Sequence, residues 1–387
     1  MTPDLTPTQR MLREARLIVT AGTGGVGKTT TAAALALQGA LAGRRTAVLT
    51  IDPARRLANA LGLDAFTGRA QKVPTALFNA AGLSPPAELS AMMLDMRATA
   101  DEMVRRYAPN AEAAARIVSN PYYQAFSTSL AGTQEYMAVE QVADLLASGE
   151  FDLVVLDTPP ATHALDFLDA PERLLNALDN RAINWLYRPK EATTRDPGYG
   201  ARLLGKGRQM VFKSLNKFTG GPFFEDLAIF LQAFSSLFDA FRVSSRAVQA
   251  LLRAESTQFL VVTAPYPATV REAINFRAQL VERGFPFGGF ICNRVHLPMT
   301  PTTSAELRPE LAAAGLAPGV VGPLAEDLAA LVGDHDRMAD RDALSLADLA
   351  EVAGGALQVV PLLPEDVHDL RGLVQVGEWL LGRRGAG

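Results

Sequence analysis

Residues 22–29 read Gly-Thr-Gly-Gly-Val-Gly-Lys-Thr, and no other stretch of the sequence restricts the fold so narrowly. The run satisfies G-x-x-x-x-G-K-[ST], a pattern with physical meaning only where a strand leads in and a helix leads out. Both neighbours are present: Leu17 to Thr20 is a short apolar run, and Lys28 to Leu41 has a helical pattern. Glycines let successive backbone N–H groups converge on phosphate oxygens, and the N-terminus of the following helix adds a favourable dipole. The expected phosphate-binding segment is therefore Gly22, Thr23, Gly24, Gly25, Val26, Gly27, Lys28, Thr29 and Thr30. Within it Lys28 is expected to reach the β- and γ-phosphates of ATP. Thr29 is expected to offer its hydroxyl to magnesium, a hard ion that takes oxygen ligands.

Further apolar runs at Ala47 to Ile51, Leu153 to Leu156, Phe259 to Thr263, Gly289 to Cys292 and Val359 to Leu362 read as buried strands. Helical patterns between them, such as Thr269 to Arg283, give the alternation of a parallel α/β sheet, where ligands sit at strand C-termini. Two helix-rich intervals, 84–149 and 164–256, are too long to be loops and imply a helical subdomain formed from two insertions. The expected division is an N-terminal extension over 1–15, core over 16–83, a first insertion over 84–149, core over 150–170, a second insertion over 171–256, and core over 257–387. Met92, Met93, Met96 and Met103 fall on helical spacing in the first insertion. Phe223, Leu227, Phe230, Phe234, Leu237 and Phe241 do so in the second. Such stripes read first as helices packing on each other; a groove for an apolar protein client is the alternative.

Composition narrows the partners. The 387 residues are 48% hydrophobic and 20% charged, as in ordinary globular chains. A formal net charge of −4 provides no global footprint for nucleic acid. The single cysteine, Cys292, excludes intrachain disulfides and cysteine-pair metal sites, reads as an inert buried thiol, and fits a cytoplasmic chain. Met1 to Arg16 has charges and prolines where a signal peptide needs an apolar core. The most apolar stretch, Phe223 to Phe241, is broken by Glu225, Asp226, Gln232 and Asp239, so no spanning helix is expected. From Arg181 to Lys217 nine basic residues stand against two acidic ones. A solvated loop is the plain reading of that stretch, and contact with an anionic membrane surface is the other.

Two carboxylates end strands. Asp157 closes the run Phe151 to Leu156 and is expected to hold the magnesium shell through water, a role compatible with its also starting the turn Thr158-Pro159-Pro160. Asp52 closes Ala47 to Ile51 and precedes Pro53. It can orient an attacking water and join the metal shell through water, or cap a helix beginning near Ala54; the pattern leaves both open.

With these residues in view, the chain resembles the arsenite-transporter ATPase and tail-anchored-protein targeting ATPase family, whose phosphate loop reads close to G-K-G-G-V-G-K-T. The resemblance also takes in Thr50-Ile51-Asp52-Pro53-Ala54, Asp157-Thr158-Pro159-Pro160-Ala161-Thr162-His163, Cys292-Asn293-Arg294 and Val360-Pro361-Leu362-Leu363-Pro364-Glu365. It implies a P-loop NTPase core of the signal-recognition and MinD-like class that binds ATP and magnesium. It implies that Asp52, Lys28 and Asp157 carry the chemistry, with Asp52 positioning the hydrolytic water. Pro53 would lie in the first switch, and Pro159, Pro160 and His163 in a second switch that couples γ-phosphate loss to the helical subdomain. Asn293, with Arg294 beside it, would contact adenine, and Pro361 and Leu362 would begin the loop covering the base.

The sequence also departs from the family. Thr23 stands where the family has a second lysine that reaches across a dimer to the partner's phosphates. The family's dimer-bridging and arsenite-binding cysteines are absent, which disfavours zinc bridging and arsenite extrusion. The expected function is ATP-dependent conformational switching by a homodimer, or by a heterodimer with a paralogue, acting on a hydrophobic client. The alternatives are a nucleotide-binding regulatory subunit with weak turnover, completed by a lysine-bearing paralogue, and a peripheral membrane ATPase.

Overall fold

A computed structural model describes residues 5–52, 56–63, 66, 68–121, 123–124, 133–159, 172 and 237–383. The first half runs α1 (Pro7–Glu14), β1 (Leu17–Ala21), α2 (Lys28–Leu41), β2 (Thr46–Thr50), α3 (Arg56–Leu61), β3 (Gln71–Lys72), α4 (Thr75–Ala80), β4 (Leu89–Met93), α5 (Met96–Tyr107), α6 (Ala111–Val118) and α7 (Thr133–Ala147). The second runs β5 (Leu153–Asp157), α8 (Phe238–Arg253), β6 (Thr257–Thr263), α9 (Pro267–Glu282), β7 (Phe287–Val295), α10 (Ser304–Ala313), α11 (Pro318–Ala353), β8 (Leu357–Pro361) and α12 (Leu370–Leu380). The described residues fall into two compact units, one within Met1–Met93, Leu145–Ala164 and Arg253–Gly387, the other within Leu94–Asp144 and Leu165–Leu252.

The first unit is built on an eight-stranded sheet in the order β3-β4-β2-β5-β1-β6-β7-β8. All neighbours run parallel except β3 and β4, which pair antiparallel. Every residue of β1, β2 and β5 is buried. That burial explains why these strands read as continuous apolar runs: both faces of a central parallel sheet are covered. On α2 the small residues Ala32, Ala33, Ala34, Ala36 and Ala40 are all fully buried. Their size lets α2 approach β1, β2 and β5 on one side and α12 on the other.

The strand order also creates the site. From β1 the chain passes through α2 to β2 on one side, whereas from the adjacent β6 it passes through α9 to β7 on the other. The C-terminal ends of β1 and β6 therefore flank a topological switch point, where α/β sheets bind their ligands.

The structure corrects the methionine stripe. Met92 and Met93 belong to strand β4, which pairs with β2 from Leu89↔Thr46 to Met93↔Thr50, so the expected helical interval opens with a strand of the core sheet. Leu-Ser-Ala-Met-Met has no β-branched residue, and its strand state comes from its partner rather than from propensity. The sheet is accordingly mixed at its β3 edge.

In the second unit, α5 and α6 are capped by Asp95 and Asn110, whose side chains accept from the N–H groups of Ala98 and Ala113. Met103 is buried, as are Leu237 and Phe241, and the Phe241 ring meets Tyr107 edge-on at 5.9 Å. These members of the two stripes make core. Glu140 is buried and accepts hydrogen bonds from Tyr107 (2.9 Å), Tyr136 (3.4 Å) and Ser244 (2.5 Å), so its oxygens are satisfied within the unit. Phe223, Leu227, Phe230, Phe234 and the basic stretch 181–217 lie outside the described residues. Among the described residues no helix is long and apolar enough to cross a membrane.

Candidate nucleotide-binding site

The glycine-rich loop joins β1 to α2 at the sheet's switch point. Gly22 has φ 155° and Gly27 has φ 95°. A Cβ on Gly22 would stand 2.0 Å from the Val262 carbonyl oxygen of β6, and one on Gly27 would stand 2.2 Å from Asn293 Nδ2. These positions exclude side chains for steric as well as torsional reasons. Gly24 and Gly25 are exposed, Val26 is buried, and Thr29 and Thr30 are half-buried on the first turn of α2.

Lys28 is buried, and its Nζ donates to the Thr23 carbonyl at 2.8 Å, curling back over the loop. Burial lowers its pKa; the Asp157 and Asp52 carboxylates oppose that shift, and the Arg56 guanidinium adds to it. The Thr23 hydroxyl oxygen is buried without a hydrogen-bond partner among the described residues.

Asp157 is the hub. It ends β5 in register with Thr20 of β1 and Thr50 of β2. Its Oδ2 accepts from the Thr29 hydroxyl at 2.8 Å and from the Thr50 hydroxyl at 2.9 Å. Its Oδ1 is buried and has no partner among the described residues. Burial pushes the carboxyl up to about 6, against the lowering effect of the two hydroxyls and the Lys28 ammonium. A buried carboxylate oxygen with nothing to accept from, beside a threonine hydroxyl and a lysine, suits a magnesium–phosphate ligand, because it supplies hard oxygen donors and an unmet electrostatic demand. The residues present fit that group.

Asp52 lies just past β2, its backbone N–H donating to the Thr50 hydroxyl at 3.2 Å. Its side chain is 26% exposed and its Oδ2 is 3.7 Å from Nη1 of Arg56. The sheet thus brings Asp52, Asp157, Lys28 and Thr29 to one place. Thr50 and Arg56 join them; in the sequence Thr50 stands out only as part of the segment Thr50 to Ala54, without a role, and Arg56 is not singled out. The signal for Thr50 lay in its position at the end of a strand neighbouring the one that ends in Asp157. Thr158 adds a local clamp, its hydroxyl donating to the Thr20 carbonyl at 2.8 Å.

On the other side of the loop, Asn293 Nδ2 donates to the Val26 carbonyl at 2.9 Å and Arg294 Nη1 to the Gly25 carbonyl at 3.1 Å. Arg294 adopts φ 61°, an uncommon conformation for a residue with a side chain. The next residue but one, His296, is held by Asp342 of α11, whose Oδ2 lies 2.8 Å from both its backbone nitrogen and its Nδ1. Pro361 ends β8 opposite Val295, and the N–H of the exposed Leu362 donates to the Val295 carbonyl at 2.9 Å. Asn293, Arg294, Pro361 and Leu362 therefore share one sheet edge beside the loop. Cys292 is buried beneath them and its thiol is pushed up to about 12, mainly by burial. Pro159 is half-buried; Pro53, Pro160 and His163 lie outside the described residues.

A parallel sheet with a glycine loop at its switch point, a lysine on the loop and a strand-end aspartate facing it defines a P-loop NTPase core. Residues 15–195 match the model of the family described as anion-transporting ATPase. The chain is 34% identical to ATPase GET3 of Malassezia globosa over 166 residues, which are 43% of this chain and 45% of that protein. It is also 34% identical to ATPase get3 of Schizosaccharomyces pombe over 164 residues, 42% of this chain and 45% of the relative. The match thus spans less than half the length of these relatives.

Proposed function

We propose that this chain binds ATP with magnesium at the loop of residues 22–30 and hydrolyses it, and that the nucleotide state switches the helical unit. The observation that carries this reading is Asp157, whose Oδ2 is held by Thr29 and Thr50 while the buried Oδ1 has no partner among the described residues. The names of the relatives, each an ATPase, point the same way.

In this reading the N–H groups of the loop bind the phosphates, and Lys28 exchanges the Thr23 carbonyl for the β- and γ-phosphate oxygens. Thr29 and, through water, Asp157 and Asp52 would hold magnesium, which when bound neutralises phosphate charge. Asp52 orients the attacking water, its position past β2 placing a partly exposed carboxylate at the mouth of the site. Asn293 and Arg294, with the Pro361–Leu362 edge, flank the base. Coupling has a covalent route: Leu94 follows β4 directly, and Leu165 begins the second stretch of the helical unit shortly after Asp157. A dimer, with itself or a paralogue, and a hydrophobic protein client complete the proposal.

Phosphate release by the purified chain with ATP and magnesium, beside equilibrium nucleotide binding, tests it. Turnover abolished in Asp52→Asn with ATP still bound is the expected result. Absence of ATP binding at millimolar concentration would sink the proposal. Tight binding without turnover in the unsubstituted chain would turn it into the regulatory-subunit reading, for which the uncharged Thr23 is the observation.

A further inference from the structure

Arg56 opens α3, six positions after Thr50 closes β2. Its Nη1 is 3.7 Å from Asp52 Oδ2, and its side chain is 66% exposed. An exposed pair at that separation restrains a guanidinium only weakly, so the side chain is free to turn toward an anion that offers more. Its charge already reaches the loop, where it adds to the effect of burial on Lys28. Thr23, within the loop, contributes only a hydroxyl, and that hydroxyl is unpartnered among the described residues. The mouth of the site thus carries a second cation beside Lys28, mounted on the segment that also carries Asp52.

Resting on the ATP-hydrolysis reading, we propose that Arg56 is a catalytic residue that places its guanidinium on the γ-phosphate of ATP bound to the same chain. In the reaction the oxygen of water bonds to the γ-phosphorus as the bond to the β,γ-bridging oxygen breaks. That oxygen keeps the electron pair and leaves with ADP, and a proton from the water ends on the inorganic phosphate or its surroundings through Asp52. Negative charge shifts onto the bridging and γ-phosphate oxygens during this step. The planar, forked donors of arginine match those oxygens, and arginine keeps its charge at any working pH. Arg56 therefore supplies, in cis, a second cation beside Lys28.

The test uses the full chain and two readouts: ATP turnover, and the affinity for ADP alone against ADP with aluminium fluoride, which mimics the transferring phosphoryl group. Failure of the unsubstituted chain to bind either nucleotide form removes the underlying functional reading. Where binding holds, Arg56→Ala is expected to slow turnover on the order of 10³-fold. It should leave ADP affinity unchanged and weaken the aluminium fluoride complex, and Arg56→Lys should recover part of the loss. In an Asp52→Asn background Arg56→Ala should still weaken that complex, which a residue acting only by holding Asp52 would not do. Unchanged turnover and complex affinity in Arg56→Ala overturn the proposal, as does an effect that vanishes in the Asp52→Asn background. Recovery of turnover on mixing the Arg56→Ala and Asp52→Asn chains would place the arginine in trans and overturn the cis assignment.

Discussion

The Thr29 hydroxyl donates to Asp157 Oδ2 at 2.8 Å, joining residues 128 positions apart in the chain. The bond ties the first turn of α2 to the end of β5, and the second carboxylate oxygen is buried without a partner among the described residues. An arrangement of that kind is costly without a ligand, and the cost is open to measurement.

Asp157 titrates at about 6 because burial disfavours its charged form. The folded chain therefore holds this proton more tightly than the unfolded chain between the ordinary value of 3.8 and about 6. For this group, stability without nucleotide or metal is greatest below that window and falls as pH rises through it. Removing the charge in Asp157→Asn should flatten the dependence by about 1 to 2 kcal/mol between pH 5 and 7.5. Urea unfolding of both proteins at the two pH values checks this, and an unchanged difference would contradict it.

Lys28 is a buried cation whose pKa is lowered by burial despite two nearby carboxylates. Lys28→Met keeps the length of the side chain and removes the charge. The variant is expected to be at least as stable as the parent without nucleotide while its ATP affinity falls roughly 100-fold, the loss of one charge-assisted phosphate contact. Thermal unfolding and ATP titration read the two effects separately.

Gly22 and Gly25 separate steric exclusion from torsional strain. A Cβ at Gly22 meets the β6 backbone at 2.0 Å, whereas one at Gly25 meets nothing within 4 Å among the described residues. Gly22→Ala should destabilise by about 2–4 kcal/mol and abolish nucleotide binding. Gly25→Ala, at φ 79°, should lose only about 1–2 kcal/mol. Equal losses in chemical denaturation would show that the β1–β6 contact is not what demands glycine at Gly22.

Asp342 satisfies the His296 backbone N–H, three residues beyond Asn293. Asp342→Leu leaves that buried-side donor without its acceptor and should destabilise by about 1–3 kcal/mol, with a smaller loss in Asp342→Asn. Because His296 follows the pair that grips the loop carbonyls, ATP affinity should fall in the same order. Calorimetric unfolding and nucleotide titration of the two variants test the ranking.

The phosphate loop, the helix after it and the strand-ending aspartates were legible because their signals are local. Left-handed backbone at Gly25 and Gly27, a 3.6-residue period in α2 and apolar runs in β1 and β5 each lie within a few residues. Strand β4 was not legible, since Leu89–Met93 has a composition equally suited to a helix and becomes a strand by pairing with β2. Thr50 had no role of its own within its segment and Arg56 lies in no motif; each gains its importance from what a neighbouring strand or loop presents to it.

By itself, then, the sequence determined that a strand would run through a glycine loop into a helix, and that carboxylates would stand at the ends of two further strands. Only the tertiary structure decided that Thr20, Thr50 and Asp157 would end side by side, that one oxygen of Asp157 would be held while the other has no partner among the described residues, and that Asn293 would reach Val26 from 267 positions away. Backbone torsions and hydrophobic periodicity are written in consecutive residues. Lateral strand order is set by the packing of the whole sheet, where contacts distant in sequence compete and no short segment carries the answer.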